Sequence, residues 1–348
     1  MLPGLAQGAV AGVEAGVIRQ TGGVKDGGDR VAQALVGGGK NSRKPCHDAA
    51  VVVHGFHGCL NGVAGGDGCR QNEDVLALDH GSKIIPQNDL AAGGAEPVGL
   101  MLTALLPPEI EETQMRQMVQ MIAQECEPLQ VQILGGHTEV TDAVKRPVVS
   151  IAAVGKAKKG MLSTTTGAKP GDDIVVTKWI ALEATAKLAR SRREALLSRY
   201  PRHLLDDAER FQQYFSVIPE AATAVKSGVR AMHDVTTGGI FGALWELAEA
   251  SGVGLEIELK KIPIRQETVE ICEFFDLNPY QLGSTGSLLL AAPDGNRLVL
   301  DLKQQGIPAV VIGKATADND RVVINEDERR FLEPLRAGVQ VYGMEFKI

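Results

Sequence analysis

The sequence lacks any long apolar run and any excess of basic residues. No stretch of its 348 residues reaches the roughly 18 apolar residues that a membrane-spanning helix needs. The first residues show no basic region followed by an apolar core, so we expect no secretory signal. A net charge of −7 argues against a nucleic-acid-binding surface, because such surfaces are strongly basic. We therefore expect a cytoplasmic protein that binds neither membranes nor nucleic acid.

Cysteine is also scarce, and its spacing follows no metal pattern. The five cysteines are an odd number, which fits a reducing compartment better than a disulfide framework. Cys46, Cys59 and Cys69 lie among histidines, but the spacing matches no zinc site. Cys126 and Cys272 fall within helical patterns and are predicted to be small core residues.

Residues 1–86 are poor in large side chains. They contain no Trp or Tyr, and Phe56 is their only Phe. Glycine pairs and triplets interrupt each candidate element, so little apolar surface is available to offset the ordering entropy. Three interpretations remain open: a disordered Gly-rich extension, a poorly patterned but folded half-domain, or a frameshifted segment joined near Pro86 to a correctly read remainder.

From residue 87 onwards the pattern predicts an α+β fold in two units. Residues 87–160 have the order β-α-β-β, with strands expected at Val98–Leu106 and Val131–Leu134. The polar stretch Lys156–Lys169 is the expected boundary. A second α+β unit follows at residues 165–335, in which apolar runs predict strands such as Ser287–Ala292 and Arg321–Asn325.

The stretch from Met232 to Gly239 is the strongest candidate for a binding site. His233 and Asp234 follow a short apolar run, and Gly238 and Gly239 open an apolar helix. The first N–H groups of a helix have no internal partners and favour an anion, and glycine lets the backbone approach a phosphate closely. The alternative is a loop with an ordinary helix cap.

Two further polar motifs contain glycine pairs. Asn88-Asp89 precedes Gly93-Gly94, and Gly135-Gly136 is followed by His137-Thr138-Glu139. Carboxylates such as Asp89 bind magnesium, while backbone N–H groups and Thr hydroxyls bind phosphate oxygens. The three motifs together indicate a nucleoside triphosphate with magnesium. His137 is expected to be a hydrogen-bonded loop residue without a catalytic role.

These motifs, together with the runs Val175–Trp179 and Leu182–Thr185, resemble the AIR synthase-related (PurM-like) superfamily. Within it, the chain is most similar to the hydrogenase expression/formation (maturation) branch. The resemblance spans about Gln87 to Asn325 and implies a two-domain AIR synthase-like fold. The N-terminal sheet domain would form a homodimer, and ATP would lie between it and the C-terminal domain. Because the resemblance begins abruptly at Gln87, it favours the frameshift interpretation of the preceding residues.

The resemblance also implies the residues of the site. Asn88 and Asp89 match the magnesium–phosphate position, and His47-Asp48-Ala49-Ala50-Val51 resembles an Asp-rich metal-binding strand. The metal ligands implied are therefore Asp89 and Asp48, and the cofactors are ATP and Mg²⁺. The remaining nucleotide-binding residues divide into a glycine-pair loop and a second-domain loop: Gly135, Gly136, Thr138 and Glu139, and His233, Asp234, Gly238 and Gly239. No catalytic residue is assigned.

The activity implied is ATP-dependent phosphorylation, which activates an oxygen-bearing small-molecule or carrier-protein substrate. The residues from Tyr342 to Ile348 contain no cysteine, so we expect the carrier-thiol chemistry of hydrogenase maturation not to run in the same way. An alternative is a nucleotide-binding or partner-binding relative without turnover. Other branches are AIR synthase, thiamine-phosphate kinase and selenophosphate synthetase, and the motif from Gly135 to Val140 fits them less well.

Overall fold

A computed structural model describes residues 33–35, 49–59, 80–158, 162–163 and 165–334. Within this part of the chain, no helix is long and apolar enough to cross a membrane. The described residues form two mixed sheets with helices packed on them, which confirms the α+β fold class. Asp48, one of the two expected metal ligands, lies outside the described residues.

Among the described residues, the first sheet has five strands, and two helices pack on it. In chain order the elements are β1 (Gln33–Leu35), β2 (Ala49–Cys59), α1 (His80–Ala92), β3 (Glu96–Leu106), α2 (Glu112–Cys126), β4 (Gln132–Val140) and β5 (Val148–Lys158). The spatial order is β1-β2-β5-β3-β4, in which only β3 and β4 are parallel.

Buried and exposed side chains alternate along β3, which shows which face of this sheet the helices cover. Leu100, Leu102 and Ala104 of β3 are buried with Met118 and Ile122 of α2, so the two elements share one core. The intervening residues of β3 face outward, as expected for a sheet with one helical face and one open face.

The second sheet contains seven strands. Its elements are β6 (Asp173–Thr177), α3 (Leu182–Ser191), α4 (Arg193–Leu197), α5 (Arg202–Glu209), α6 (Ile218–Lys226), β7 (Ala231–Val235), α7 (Gly239–Ser251), β8 (Gly254–Glu258), α8 (Gln266–Phe274), β9 (Ser287–Ala292), α9 (Gly295–Gln304), β10 (Ala309–Thr316), β11 (Arg321–Asn325) and β12 (Glu328–Phe331). The spatial order is β12-β11-β8-β10-β6-β9-β7, with a parallel pairing between β11 and β8.

Both faces of the second sheet are buried near its middle. Every residue of β9 is buried; Leu289 packs into one core with α7, and Leu288 packs into another with α6 and α9. Central strands covered on both faces carry continuous apolar runs instead of an alternating pattern. This arrangement leaves β7, at one edge of the sheet, next to the start of α7.

Residues 49–59 of the interrupted segment 1–86 form β2, an eleven-residue strand that pairs with β5 along its whole length. Two sequence-based expectations differ from the structure. The expected strand Val131–Leu134 continues to Val140, because the glycine pair lies inside β4 and does not end it. The pattern also gave no indication of α4 or β12, since they have only five and four residues.

Candidate functional site

Helix α1 joins the cores of the two sheets. Leu90 packs into the core of the first sheet, whereas Ala91 and Ala92 pack against Val175 and Met232 of the second sheet. The helix ends at Gly93-Gly94, and Gly94 has a φ of 77°, which glycine adopts without strain. Asp89, the half-buried residue in this part of α1, therefore lies where the two sheets meet.

Asp89 of α1 lies beside Asp234 of β7. Burial is the largest cause that raises the pKa of Asp234 well above its usual value, and the negative charge of Asp89 raises this pKa further. Two carboxylates in contact repel each other unless a proton or a cation lies between them. The fold thus brings together two acidic residues that are 145 positions apart in the sequence.

One oxygen of this pair has no protein partner. Asp234 Oδ2 is buried and accepts no hydrogen bond within the described part of the chain. A buried, unpaired carboxylate oxygen is costly unless a ligand satisfies it. Mg²⁺ typically binds one or two carboxylates and completes its octahedron with water and phosphate oxygens. The pair of Asp89 and Asp234 therefore fits a divalent cation, although no cluster of three such ligands occurs among the described residues.

His233 stabilises the same strand end with a positive charge. Its Nε2 lies 2.8 Å from Glu246 Oε2, and its Nδ1 lies 2.7 Å from the carbonyl oxygen of Asp234. Burial opposes the charged imidazole, but Glu246 and Asp234 outweigh burial and raise the pKa of His233 to about 9. At neutral pH both ring nitrogens therefore donate hydrogen bonds, which fixes the orientation of the ring.

The beginning of α7 provides donors beside these residues. Gly238 and Gly239 have φ angles of 84° and 63°, and a Cβ on Gly239 would lie 2.6 Å from the carbonyl oxygen of Tyr280. Glycine is therefore required for this turn to pack against the 280–282 segment. Thr236 and Thr237 place two hydroxyls in the same turn. The turn therefore offers hydroxyl and helix N-terminal N–H donors to an anion.

Asn88 makes contacts that its sequence context did not predict. Its Nδ2 donates to the carbonyl oxygen of Phe215 at 2.7 Å, and its Oδ1 accepts from the Val217 N–H at 3.0 Å. The side chain is 1% exposed. The amide group therefore holds the main chain of a neighbouring segment, whereas the sequence suggested a direct contact with magnesium and phosphate.

The glycine-pair motif lies on a strand and not in a loop. Gly135 and Gly136 are inside β4, the edge strand, and a Cβ on Gly136 would lie 1.7 Å from the carbonyl oxygen of Leu102. Thr138 and Glu139 are exposed, and Glu139 Oε2 is 3.5 Å from His137 Nε2. Gly136 thus permits the close approach of β3, and the structure brings none of the motif's side chains to Asp89 and Asp234 through a described contact.

Sequence reasoning missed two groups of polar residues around the site. Lys178 and Glu220 form a buried ion pair with an Nζ–Oε1 distance of 2.6 Å. The segment Gly283–Gly286 contacts the turn Thr236–Gly239, where the Ser284 N–H donates to the Thr236 carbonyl oxygen at 3.3 Å. Its Thr285 Oγ1 also donates to Glu183. The signal for this segment was a further small and polar run with two glycines that precedes a strand.

Two family models match the chain. The model described as the N-terminal domain of AIR synthase related proteins matches residues 86–157, and the model of the C-terminal domain matches residues 169–325. The chain belongs to the AIR synthase-related family. This membership confirms the resemblance drawn from the sequence motifs.

The curated relatives of this AIR synthase-related protein include hydrogenase maturation proteins. Carbamoyl dehydratase HypE of Rhodobacter capsulatus is 30% identical over 238 residues, which cover 67% of this chain and 68% of the relative. A putative hydrogenase expression/formation protein of Methanocaldococcus jannaschii is 29% identical over 245 residues, with coverages of 68% and 70%.

Solved structures show the same fold. The hydrogenase maturation protein HypE in complex with ATP superposes with a TM-score of 0.63 at 16% identity, covering 85% of this chain and 87% of that chain. A HypE–HypF complex contains a chain that superposes with a TM-score of 0.64 at 19% identity, with coverages of 83% and 92%. The two-domain AIR synthase-like fold expected from the sequence is thereby confirmed.

Proposed function

We propose that this AIR synthase-related protein is an enzyme that binds ATP with Mg²⁺ and transfers a phosphoryl group to an oxygen-bearing substrate. The observation that carries the proposal is the contact between Asp89 and Asp234 beside the beginning of α7. The complex of a structural neighbour with ATP supports the choice of nucleotide. In this proposal residues 87–160 and 165–335 act as two domains that share one site.

The residues of the site have distinct roles. Asp89 and Asp234 hold the cation, whose charge offsets their mutual repulsion. The N–H groups at the beginning of α7 and the Thr236 and Thr237 hydroxyls hold phosphate oxygens. His233 keeps a positive charge next to Asp234. When bound, ATP supplies the phosphoryl group, and its transfer needs chiefly alignment and charge neutralisation.

The open face and edge of the first sheet support the proposal of a homodimer. Four apolar side chains on β3 and β4 are exposed, each by 40% or more: Val98, Met101, Leu134 and Val140. Apolar groups concentrated on one surface mark an interaction site. We propose that a second copy of the chain covers them. We also propose that, in this assembly, part of β4 faces the nucleotide: Gly135, Gly136, Thr138 and Glu139.

Turnover of ATP by purified protein tests the proposed activity. We expect Mg²⁺-dependent release of phosphate that Asp89→Asn lowers by at least tenfold, because the cation loses one ligand. The matched control is Asp327→Asn, an exposed turn residue between β11 and β12, at the opposite edge of the sheet from β7. Tight Mg²⁺-dependent binding without turnover would favour the non-catalytic alternative, and absence of binding would overturn both.

A further inference from the structure

The buried Lys178 is fully occupied by protein partners. Its Nζ donates to the carbonyl oxygens of Tyr214 at 2.7 Å and Ser216 at 2.6 Å, and to Glu220 Oε1 at 2.6 Å. An ammonium group has three donors, so none remains for a ligand. The side chain is 6% exposed, and burial lowers its pKa against the opposing effect of Glu220. Lys178 therefore acts on the segment that it holds.

The same segment is held from the other side by Asn88. The Asn88 amide bonds to Phe215 and Val217, so its partners alternate along the chain with the two carbonyl oxygens that Lys178 binds. Asn88 belongs to α1, which bridges the two cores, whereas Lys178 follows β6 in the second sheet. Residues 214–217 are thus clamped between elements of both sheets.

Packing restricts this clamped segment further. A Cβ at Gly286, whose φ is 108°, would lie 2.5 Å from the Tyr214 carbonyl oxygen and 3.0 Å from the Phe215 Cα. The residue that follows Asn88 is Asp89, whose carboxylate contacts Asp234. A shift of the segment would therefore move Asn88, and with it the carboxylate of Asp89 relative to Asp234.

We propose that Lys178 is a positioning residue that, through the clamped segment 214–217 and Asn88, sets the separation of the Asp89 and Asp234 carboxylates for a bound divalent cation. This inference rests on the proposed function. Mg²⁺ requires near-ideal octahedral geometry, so its affinity depends on that separation. General stability does not require such a pair, because well-packed apolar residues of similar volume often stabilise a fold as well as a buried ion pair does.

The double variant Lys178→Met/Glu220→Leu tests the inference, because it removes the pair without leaving a buried charge unpaired. The measurement is binding of a non-hydrolysable ATP analogue as a function of Mg²⁺ concentration, by calorimetry. We expect the Mg²⁺ concentration at half-saturation to rise about tenfold, since small misplacements of ligands have large effects. Nucleotide affinity at saturating Mg²⁺ should stay close to that of the wild type.

The matched control is Thr185→Val/Thr268→Val, which removes a buried hydroxyl pair at 3.0 Å whose other hydrogen bond goes to the Ala181 carbonyl oxygen. A merely destabilising change lowers the fraction of competent protein and leaves the Mg²⁺ midpoint unchanged. If Lys178→Met/Glu220→Leu fails to fold, Asn88→Ala releases the same segment from the other side and should raise the midpoint. An unchanged midpoint in the folded variant overturns the inference, whereas failure of the wild type to bind Mg²⁺ and nucleotide overturns the proposed function.

Discussion

Asp234 opposes the stability of the fold while no cation is bound. Its pKa in the folded protein is raised by burial and by Asp89, so the unfolded chain releases this proton more readily. The contribution to stability is therefore most favourable below the usual pKa of an aspartate and is lost as the pH rises through that value towards the folded pKa. At neutral pH the carboxylate pair favours unfolding unless a cation neutralises it.

Asp234→Asn should therefore stabilise the cation-free protein. We expect the free energy of unfolding at neutral pH to rise by roughly 0.5–2 kcal/mol, within the usual range for removal of an unfavourable functional group. The same variant should bind Mg²⁺ and nucleotide more weakly. Chemical denaturation without divalent ions measures the first effect. A lower stability than wild type would show that the carboxylate is satisfied within the fold.

His233 should remain protonated at neutral pH because of Glu246. Its pKa is raised to about 9, so the stability it contributes is fully present below its usual pKa of 6.5 and is lost as the pH rises through about 9. In Glu246→Gln the ring loses its carboxylate partner, and burial then lowers the pKa by at least one unit. Nitrogen-detected NMR titration of the imidazole measures both values, and an unshifted pKa in the variant would contradict the assignment.

The sequence predicted both carboxylates of the proposed site but not how they are held. Asp89 was predicted to bind magnesium and Asp234 to bind nucleotide, because carboxylates beside glycines and hydroxyls are typical of phosphate and magnesium sites. The role of Asn88 depends on Phe215 and Val217, more than 120 residues away, and Lys178 pairs with Glu220 across 42 positions. Local patterns carry no information on such distant partners.

At the level of elements, the turn that begins α7 has little tolerance for side chains. Gly239→Ala should cost about 3 kcal/mol or more, because it adds a clash with the Tyr280 carbonyl to the strain of positive φ. Gly252→Ala is the control: its φ of 64° is nearly the same, but no atom lies within 4 Å of the added Cβ. It should cost only about 1–2 kcal/mol. Equal losses in urea denaturation would show that the contact with Tyr280 is unimportant.

Elements with strong local patterns were predicted well. The bounds of β9 and β11 match the predicted Ser287–Ala292 and Arg321–Asn325, because each contains a short apolar run and is followed directly by turn residues. The glycine pair of β4 suggested a loop. In the structure Gly136 lies within the strand and allows β3 to approach closely, because it has no Cβ. In β2, glycine and histidine interrupt the apolar pattern, and the strand depends on pairing with β5, which the local sequence does not reveal.

At the scale of the whole molecule, the exposed surface of the first sheet predicts self-association. Leu134→Glu replaces an apolar side chain that is 54% exposed with a charged one. This variant should shift the proposed homodimer to monomer at micromolar concentration. Leu300→Glu is a matched control, since Leu300 is 56% exposed on α9, away from the first sheet. Light scattering coupled to gel filtration measures the mass. A wild-type monomer, or a variant that remains dimeric, contradicts this interface.

Helix α1, which joins the cores of the two sheets, and strand β7 of the second sheet contribute one carboxylate each to the proposed site. The central claim is that Asp89 and Asp234 share one divalent cation that also binds nucleotide phosphate. The most direct test is a crystal structure with Mn²⁺ and a non-hydrolysable ATP analogue, in which Mn²⁺ is located by anomalous scattering. We predict one Mn²⁺ at about 2.0–2.3 Å from an oxygen of each carboxylate, with phosphate oxygens completing its coordination. Nucleotide bound with no Mn²⁺ between the two residues would contradict the account.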